Sequence, residues 1–127
     1  MNEGARRVAI FKQVLDSVFF VHKGLGPGLL ESAYEQCLFY DLSRRGLRVE
    51  KQKGMPLVFC EHKMDLGYRL DLYIESSIIL EIKAVESLHD VHLAQILTYM
   101  KISGCKLGLL VNFNCRHLKD GISRVVR

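Results

Sequence analysis

The chain has 127 residues, a length that suits one domain built around one hydrophobic core. Hydrophobic residues make up 49% of it and charged residues 25%, with only two prolines, and this composition excludes a disordered chain. The net charge of +4 is milder than that of a dedicated nucleic-acid binder. Charge therefore permits a nucleic-acid partner without establishing one.

No apolar run approaches the roughly 18 residues that a membrane span requires. Residues 1–7 carry charges and lead into an amphipathic segment instead of the core of a signal peptide. We therefore expect a cytoplasmic protein with no membrane partner. Four cysteines are scattered singly, without the close spacing typical of zinc ligands, and we interpret them as reduced thiols.

The first third of the chain predicts two helices. From Val8 to His22, apolar residues recur at intervals of three and four, which is the period of an amphipathic helix. The glycine-rich stretch Gly24–Gly28 breaks this pattern. A second helix is predicted from about Leu29 to Arg45, and Gly46 supplies a left-handed stop.

Beyond Gly46 the sequence changes to short runs that are rich in β-forming residues. Four strands are predicted here: Leu47–Gln52, Pro56–Cys60, Leu66–Ile74 and Ile78–Lys83. Breaks at Lys53–Gly54 and Glu61–Asp65 separate the first three of them. This arrangement indicates an antiparallel meander.

A third helix is predicted from Val91 to Ser103, with Asp90 as its N-cap and Gly104 as its stop. Two further β-like segments follow it, Leu107–Phe113 and Ile122–Val126. The order ααββββαββ indicates a single α+β domain over residues 1–127, with helices covering one face of a central sheet.

The hairpin around residues 75–77 holds the residues that suggest a chemistry. Its strands alternate apolar and charged residues, so each strand has one apolar face. If residues 75–77 form a three-residue turn, Asp71 lies opposite Glu81 and Arg69 lies opposite Lys83, with Cβ atoms about 5 Å apart. Opposed carboxylates repel each other, so we expect a cation to neutralise the pair.

Mg²⁺ is the natural candidate, because it takes hard oxygen ligands and usually binds one or two carboxylates. Lys83 lies on the same strand face as Glu81 and can hold or deprotonate an attacking water. The pattern thus predicts metal-dependent hydrolysis of a phosphodiester by Asp71, Glu81 and Lys83. The alternative interpretation is a solvated sheet face on which Glu81 and Lys83 form an exposed ion pair.

A wider set of residues favours the hydrolytic interpretation. Residues 28–34 spell G-x-x-E-x-x-Y. Other segments that carry the resemblance are His22, Leu25–Pro27, Gly67–Asp71, Glu81–Val85, His92, Gln95 with Tyr99, Leu109–Asn114 and Lys119–Gly121. From about Val14 to Val126 the chain resembles the GxxExxY protein family, which is placed among the PD-(D/E)XK nucleases. The resemblance implies a restriction-endonuclease-like core of the α/β/α kind, with a mixed sheet that includes an antiparallel hairpin.

The resemblance also implies roles for individual residues. Asp71 resembles the motif aspartate, and Glu81 and Lys83 resemble the E-x-K that completes the catalytic set. Glu31 resembles the helix glutamate that often joins the metal site, so the implied ligands of Mg²⁺ or Mn²⁺ are Asp71, Glu81 and Glu31. The helix dipole alone also favours a carboxylate in the first turn of a helix. This structural role is the alternative to metal ligation for Glu31.

Gln95 and Tyr99 resemble the Q-x-x-x-Y of recombination nucleases, and their spacing places both on one helix face beside His92. We expect these three residues and Arg69 to contact the substrate. The alternative interpretation of His92 is a structural or solvent-exposed histidine. Tyr34 is expected to pack in the core with a hydrogen-bonded hydroxyl.

The leading hypothesis is a divalent-metal-dependent nuclease that hydrolyses nucleic-acid phosphodiester bonds, with DNA as the expected substrate. One alternative is a non-catalytic nucleic-acid-binding or partner-recruiting domain that retains the fold, and another is a protein-interaction module. Because nucleases that cut both strands commonly pair two active sites, a homodimer is compatible with the hypothesis. Few aromatic residues interleave with the basic ones, so the sequence shows no plain stacking platform for single strands.

Overall fold

Two helices open the fold in the computed structural model, which describes residues 2–127 apart from the side chain of Leu66. Helix α1 spans Glu3–Leu25 and helix α2 spans Glu31–Arg44, so both predicted helices are confirmed. α1 begins earlier than the apolar pattern indicated, because the Asn2 side chain accepts a hydrogen bond from the first turn. α1 has 23 residues, yet no helix within residues 2–127 is apolar enough over a sufficient length to cross a membrane.

The sheet has five strands in the order β1-β2-β3-β4-β5. The strands are β1 (Val49–Phe59), β2 (His62–Ile74), β3 (Ile78–Lys83), β4 (Leu107–Asn112) and β5 (Ile122–Val126). The first three form the predicted antiparallel meander, β4 is parallel to β3, and β5 is antiparallel to β4. The sheet is therefore mixed, as the resemblance implied.

The number of strands before the third helix was predicted wrongly. The expected strands Leu47–Gln52 and Pro56–Cys60 are one strand, because Lys53 and Gly54, the expected break, both pair with β2. The register shifts around Pro56, which has no N–H to donate to a neighbouring strand. The observed order is therefore ααβββαββ.

Helix α3 spans Asp90–Ser103 and connects β3 to β4. His89, and not Asp90 as predicted, occupies its N-cap position, and the backbone N–H of His89 donates to Nδ1 of His92 at 2.9 Å. Asp90 lies instead in the first turn, where the helix dipole favours a carboxylate. Gly104 ends the helix in the left-handed conformation, with φ of 78°.

Helices cover both faces of the sheet, and the expectation that they cover one face is wrong. The core between the sheet and helices α1 and α2 includes Val14, Val18, Leu38, Leu42, Leu72 and Leu80. The smaller core between the sheet and α3 includes Ile79, Ile96, Met100 and Leu110. Every residue of β4 is buried, and a parallel strand of this kind needs cover on both faces. The result is the α/β/α arrangement.

A buried carboxylate joins the first two helices. Asp41 in α2 is only 2% exposed and accepts a hydrogen bond from Oγ of Ser17 in α1 at 2.6 Å. It also accepts from the side chains of Arg44 and Arg45 at 2.7 and 2.8 Å. Burial alone would raise the pKa of Asp41, but the hydrogen bonds from Ser17 and the two arginines hold this pKa below its ordinary value of 3.8.

We expect Asp41→Asn to lower the free energy of unfolding by about 1–3 kcal/mol at neutral pH, since both arginines are partly exposed. The pKa is lower in the folded protein than in the unfolded one. The stabilisation is therefore complete above pH 3.8 and is lost as the pH falls through the folded pKa. Urea unfolding at neutral and acidic pH measures the difference, with Asp16→Asn on the exposed side of α1 as the control. A difference that stays constant into acid would contradict this explanation.

Candidate active site

Strands β2 and β3 separate at Asp71 and Glu81, where side chains replace the backbone pairing. From the turn at residues 75–77 to the pair Leu72 and Leu80, the strands follow the predicted register. At the next position, the N–H of Asp71 donates to Oε2 of Glu81 at 2.9 Å, and the N–H of Ile82 donates to Oδ2 of Asp71 at 2.8 Å. The structure thus brings the two carboxylates together, each bonded to the backbone of the opposite strand.

Both carboxylates are largely withdrawn from water. Glu81 is 3% exposed, and burial together with the negative charge of Asp71 raises its pKa to about 8. Burial also raises the pKa of Asp71, against the hydrogen bond from Ile82 and the positive charge of Lys83. Burial therefore disfavours the charged form of both groups, and the positive charge of Lys83 opposes this only in part.

Helix α3 holds the lysine of the site. Nζ of Lys83 donates to Oε1 of Gln95 at 3.1 Å, and Nε2 of Gln95 donates to the hydroxyl of Tyr99 at 3.0 Å. Because Tyr99 takes the amide N–H, the carbonyl oxygen of Gln95 points to the ammonium. The ring of Tyr99 stacks on Tyr68 with centroids 4.8 Å apart, which fixes the end of this chain of contacts.

The G-x-x-E-x-x-Y segment attaches α2 to the end of β3. Oε2 of Glu31 accepts a hydrogen bond from the N–H of Ala84 at 3.0 Å. The hydroxyl of Tyr34 accepts from the N–H of Leu29 at 3.2 Å and donates to the carbonyl of Gly26 at 2.5 Å. The buried, hydrogen-bonded tyrosine predicted from the sequence is confirmed, and it holds the loop that leads into Glu31.

Two further residues of the site were missed by the sequence analysis. Glu35 is 9% exposed, and its Oε1 accepts from Nε2 of Gln52 at 2.5 Å. The same nitrogen lies 3.4 Å from Oδ1 of Asp71. Glu35 follows Glu31 by one helical turn, so its spacing could have revealed it. Gln52 gave no signal, because it reaches the site through a backbone φ of 52°, which is unusual within a strand.

A cleft of about 240 Å³ opens beside these groups. It is lined by Glu31, Ser32, Glu35, Gln52, Asp71 and Ile82. Glu81 is buried and Lys83 is bonded to α3, and neither residue lines the cleft. Within residues 2–127, no three histidine, cysteine or acidic side chains form a ready-made metal cluster. Glu31 is therefore a neighbour of the Asp71 and Glu81 pair and not a member of a three-carboxylate cluster.

The structure does not bring Arg69 into the site as predicted. Arg69 pairs with Gly54 in β1, whereas the pairing of β2 with β3 ends at Leu72 and Leu80, so Arg69 does not lie opposite Lys83. The strands diverge because the acidic side chains occupy the backbone donors at this point. His92 is occupied in capping α3, and its role toward a substrate stays a prediction.

A family profile described as the PD-(D/E)XK nuclease superfamily matches residues 8–125. The matched range contains the paired acids, the lysine and both glutamates of α2. Searches of curated proteins and of solved structures each gave no match. The profile therefore covers every residue of the site described above.

We expect Glu81→Gln to raise the free energy of unfolding in metal-free buffer, because it removes a buried negative charge opposite Asp71. The pKa of Glu81 is about 8 in the folded protein against 4.5 ordinarily, so the wild type loses stability as the pH rises between these values. The advantage of the variant should grow across this window by more than about 1 kcal/mol and level off above it.

Urea unfolding in EDTA, below, within and above this pH window, measures the effect. Glutamine can still accept from the N–H of Asp71, and Glu86→Gln in the exposed loop after β3 is the matched control. An advantage that does not change with pH would show that the fold does not raise the pKa of Glu81.

Proposed function

The chain belongs to the PD-(D/E)XK nuclease superfamily, and we propose that it hydrolyses nucleic-acid phosphodiester bonds with the help of a divalent metal ion. The observation that supports this most is the reciprocal bonding of Asp71 and Glu81, which holds two carboxylates side by side. The G-x-x-E-x-x-Y segment further supports placement in the GxxExxY family. DNA is the proposed substrate, in keeping with the similarity to restriction endonucleases.

The donor set fits a hard divalent cation. Asp71 and Glu81 each accept a backbone N–H with one oxygen, and the second oxygen of Asp71 makes only a long contact of 3.4 Å with Gln52. Burial raises the pKa of both groups, so a bound cation would favour their charged forms. We propose that they hold Mg²⁺ or Mn²⁺, with Glu31 as an additional acidic neighbour. A bound ion of this kind supplies Lewis-acid charge to a phosphoryl oxygen.

Lys83 provides the second chemical function. Its ammonium lies close enough to both carboxylates to oppose the rise in their pKa. In the proposed reaction it holds the attacking water and offsets the negative charge that develops on the phosphate. Gln95 holds the ammonium in position, and Tyr99 holds Gln95, so little reorganisation is needed when substrate binds.

Substrate contacts are proposed around this centre. Gln95 and Tyr99 lie on α3 behind the lysine, His92 lies in the first turn of that helix, and Arg69 is an exposed cation on β2. Arg69 in particular suits a phosphate of the strand beyond the scissile bond. A cytoplasmic location and a homodimer, both expected from the sequence, stay predictions.

One observation favours the second candidate function, a nucleic-acid-binding domain without catalysis. Glu81 and Lys83 do not line the cleft, so the protein as it stands offers the substrate only part of the catalytic set. Binding that persists in EDTA and in Asp71→Ala, without cleavage under any condition, would support this candidate.

We expect the purified protein, with Mg²⁺ or Mn²⁺, to cleave at least one of single-stranded, double-stranded or branched DNA, or RNA. Asp71→Asn and Lys83→Ala should each lower the rate by roughly 100-fold or more, because each removes a group of the reaction centre. Gel analysis of labelled substrates is the measurement, with Lys101→Ala on the exposed side of α3 as the control. A folded protein that cleaves none of these substrates would refute the hydrolytic proposal.

Metal binding is expected to be visible without any substrate. Because the ion binds the folded carboxylate pair, Mn²⁺ at about 100 times its dissociation constant should add about 2.7 kcal/mol to the free energy of unfolding. Asp71→Asn should lose most of this gain, and Asp16→Asn should keep it. Thermal melting with and without Mn²⁺ provides the measurement, and an equal gain in all three proteins would argue against a site at Asp71.

A further inference from the structure

A groove between α1 and α2 is larger than the cleft of the candidate active site. Its volume is about 670 Å³, against about 240 Å³ for the cleft. The groove is mainly apolar, and its walls include Phe20, Val21, Leu25, Cys37, Tyr40 and Arg44. Of these residues, the sequence suggested a function only for Arg44, as one of the basic residues available for strand binding.

Two aromatic side chains of the groove face solvent. Phe20 is 53% exposed and Tyr40 is 68% exposed, so the core between the helices and the sheet does not account for either ring. The guanidinium carbon of Arg44 lies 5.2 Å from the centre of the Phe20 ring and 5.9 Å from that of Tyr40. A cation and two rings therefore form one small platform.

The charge of the groove is positive toward solvent. Lys23 and Arg44 are the cations of its walls, and Asp41 is the acid. The carboxylate of Asp41 is buried and already bonded to Ser17, Arg44 and Arg45. An apolar protein partner would leave Lys23 without a counter-charge, whereas a nucleotide offers a base to the rings and a phosphate to the cations.

The groove and the cleft adjoin along α2. Glu35 lines the cleft and the next residue, Gln36, lines the groove. Oε1 of Gln36 accepts from Nζ of Lys51 at 3.2 Å, while Gln52, the neighbour of Lys51, bonds Glu35. A third cation, Lys51, thus lies beside the residue of the groove that follows Glu35.

We propose that this groove binds unpaired nucleotides, with bases stacked on Phe20 and Tyr40 and phosphates at Lys23 and Arg44. The inference rests on the proposed nuclease function, because that function identifies the bound polymer as a nucleic acid. It deepens that function by assigning a single-stranded segment, such as a flap or tail, to the substrate beside the bond that is cut. The rings and cations recognise unpaired DNA and unpaired RNA alike.

The test measures binding in EDTA, so that cleavage plays no part. Fluorescence anisotropy compares labelled oligothymidylate, oligouridylate and a blunt DNA duplex. Phe20→Ala and Tyr40→Ala should each weaken binding of one or both single strands by roughly 5- to 100-fold and leave duplex binding unchanged. Phe20→Tyr and Tyr40→Phe keep a ring and should retain the wild-type affinity.

Phe59→Ala is the matched control, because Phe59 is an equally exposed aromatic residue at the distant end of β1. Circular dichroism and thermal melting are used to check that each variant is folded. We expect folded variants, because the substituted side chains are exposed. The inference is overturned if the wild type binds neither single strand, or if both alanine variants bind like the wild type. It is also overturned if those variants change only the oligomeric state, measured by light scattering.

The same proteins separate this inference from the proposed hydrolysis. Ring-dependent binding without cleavage in Mg²⁺ or Mn²⁺ would keep the groove assignment and refute the nuclease proposal. Cleavage that is equal in the wild type, Phe20→Ala and Tyr40→Ala, with equal affinities, would refute the groove assignment alone.

Discussion

The reciprocal hydrogen bonds between Asp71 and Glu81 and the backbone of the opposite strand determine the rest of the site. Each carboxylate takes an N–H at the point where ladder pairing ends, so β2 and β3 separate beyond it. This arrangement holds two negative groups together inside the protein, which burial and repulsion both oppose. The fold retains the pair in spite of this cost, as is common where charged groups serve a function.

The two helical layers complete the site from opposite faces of the sheet. On one face, α3 holds Lys83 through Gln95 and Tyr99. On the other face, α2 supplies Glu35, which reaches Asp71 through Gln52. Because the sheet is covered on both faces, the lysine of the hairpin is held from one side and further carboxylates are supplied from the other, a division that a sheet with a solvated face could not offer.

Helix α2 links the candidate active site to the aromatic groove. Its first two turns carry the acidic residues of the cleft, and its later turns carry Tyr40 and Arg44 of the groove. The chemistry of the two regions differs accordingly: buried carboxylates suit a cation, whereas exposed rings with arginine suit bases and phosphates. In the proposed function, the groove holds the nucleic-acid strand and the active site cleaves it.

The sequence by itself determined the local features: the three helices, the glycine stops and the hairpin register up to Leu72 and Leu80, the residues next to Asp71 and Glu81. These depend on periodicity and turn chemistry among residues that are close in the chain. Tertiary structure alone decided that Lys53–Gly54 continue a strand, that helices cover both faces, and that Gln52 reaches Asp71. It also brought Phe20 and Tyr40 together on one platform. The reason is physical: such contacts join distant segments through packing and bulged backbone, and no local pattern encodes them.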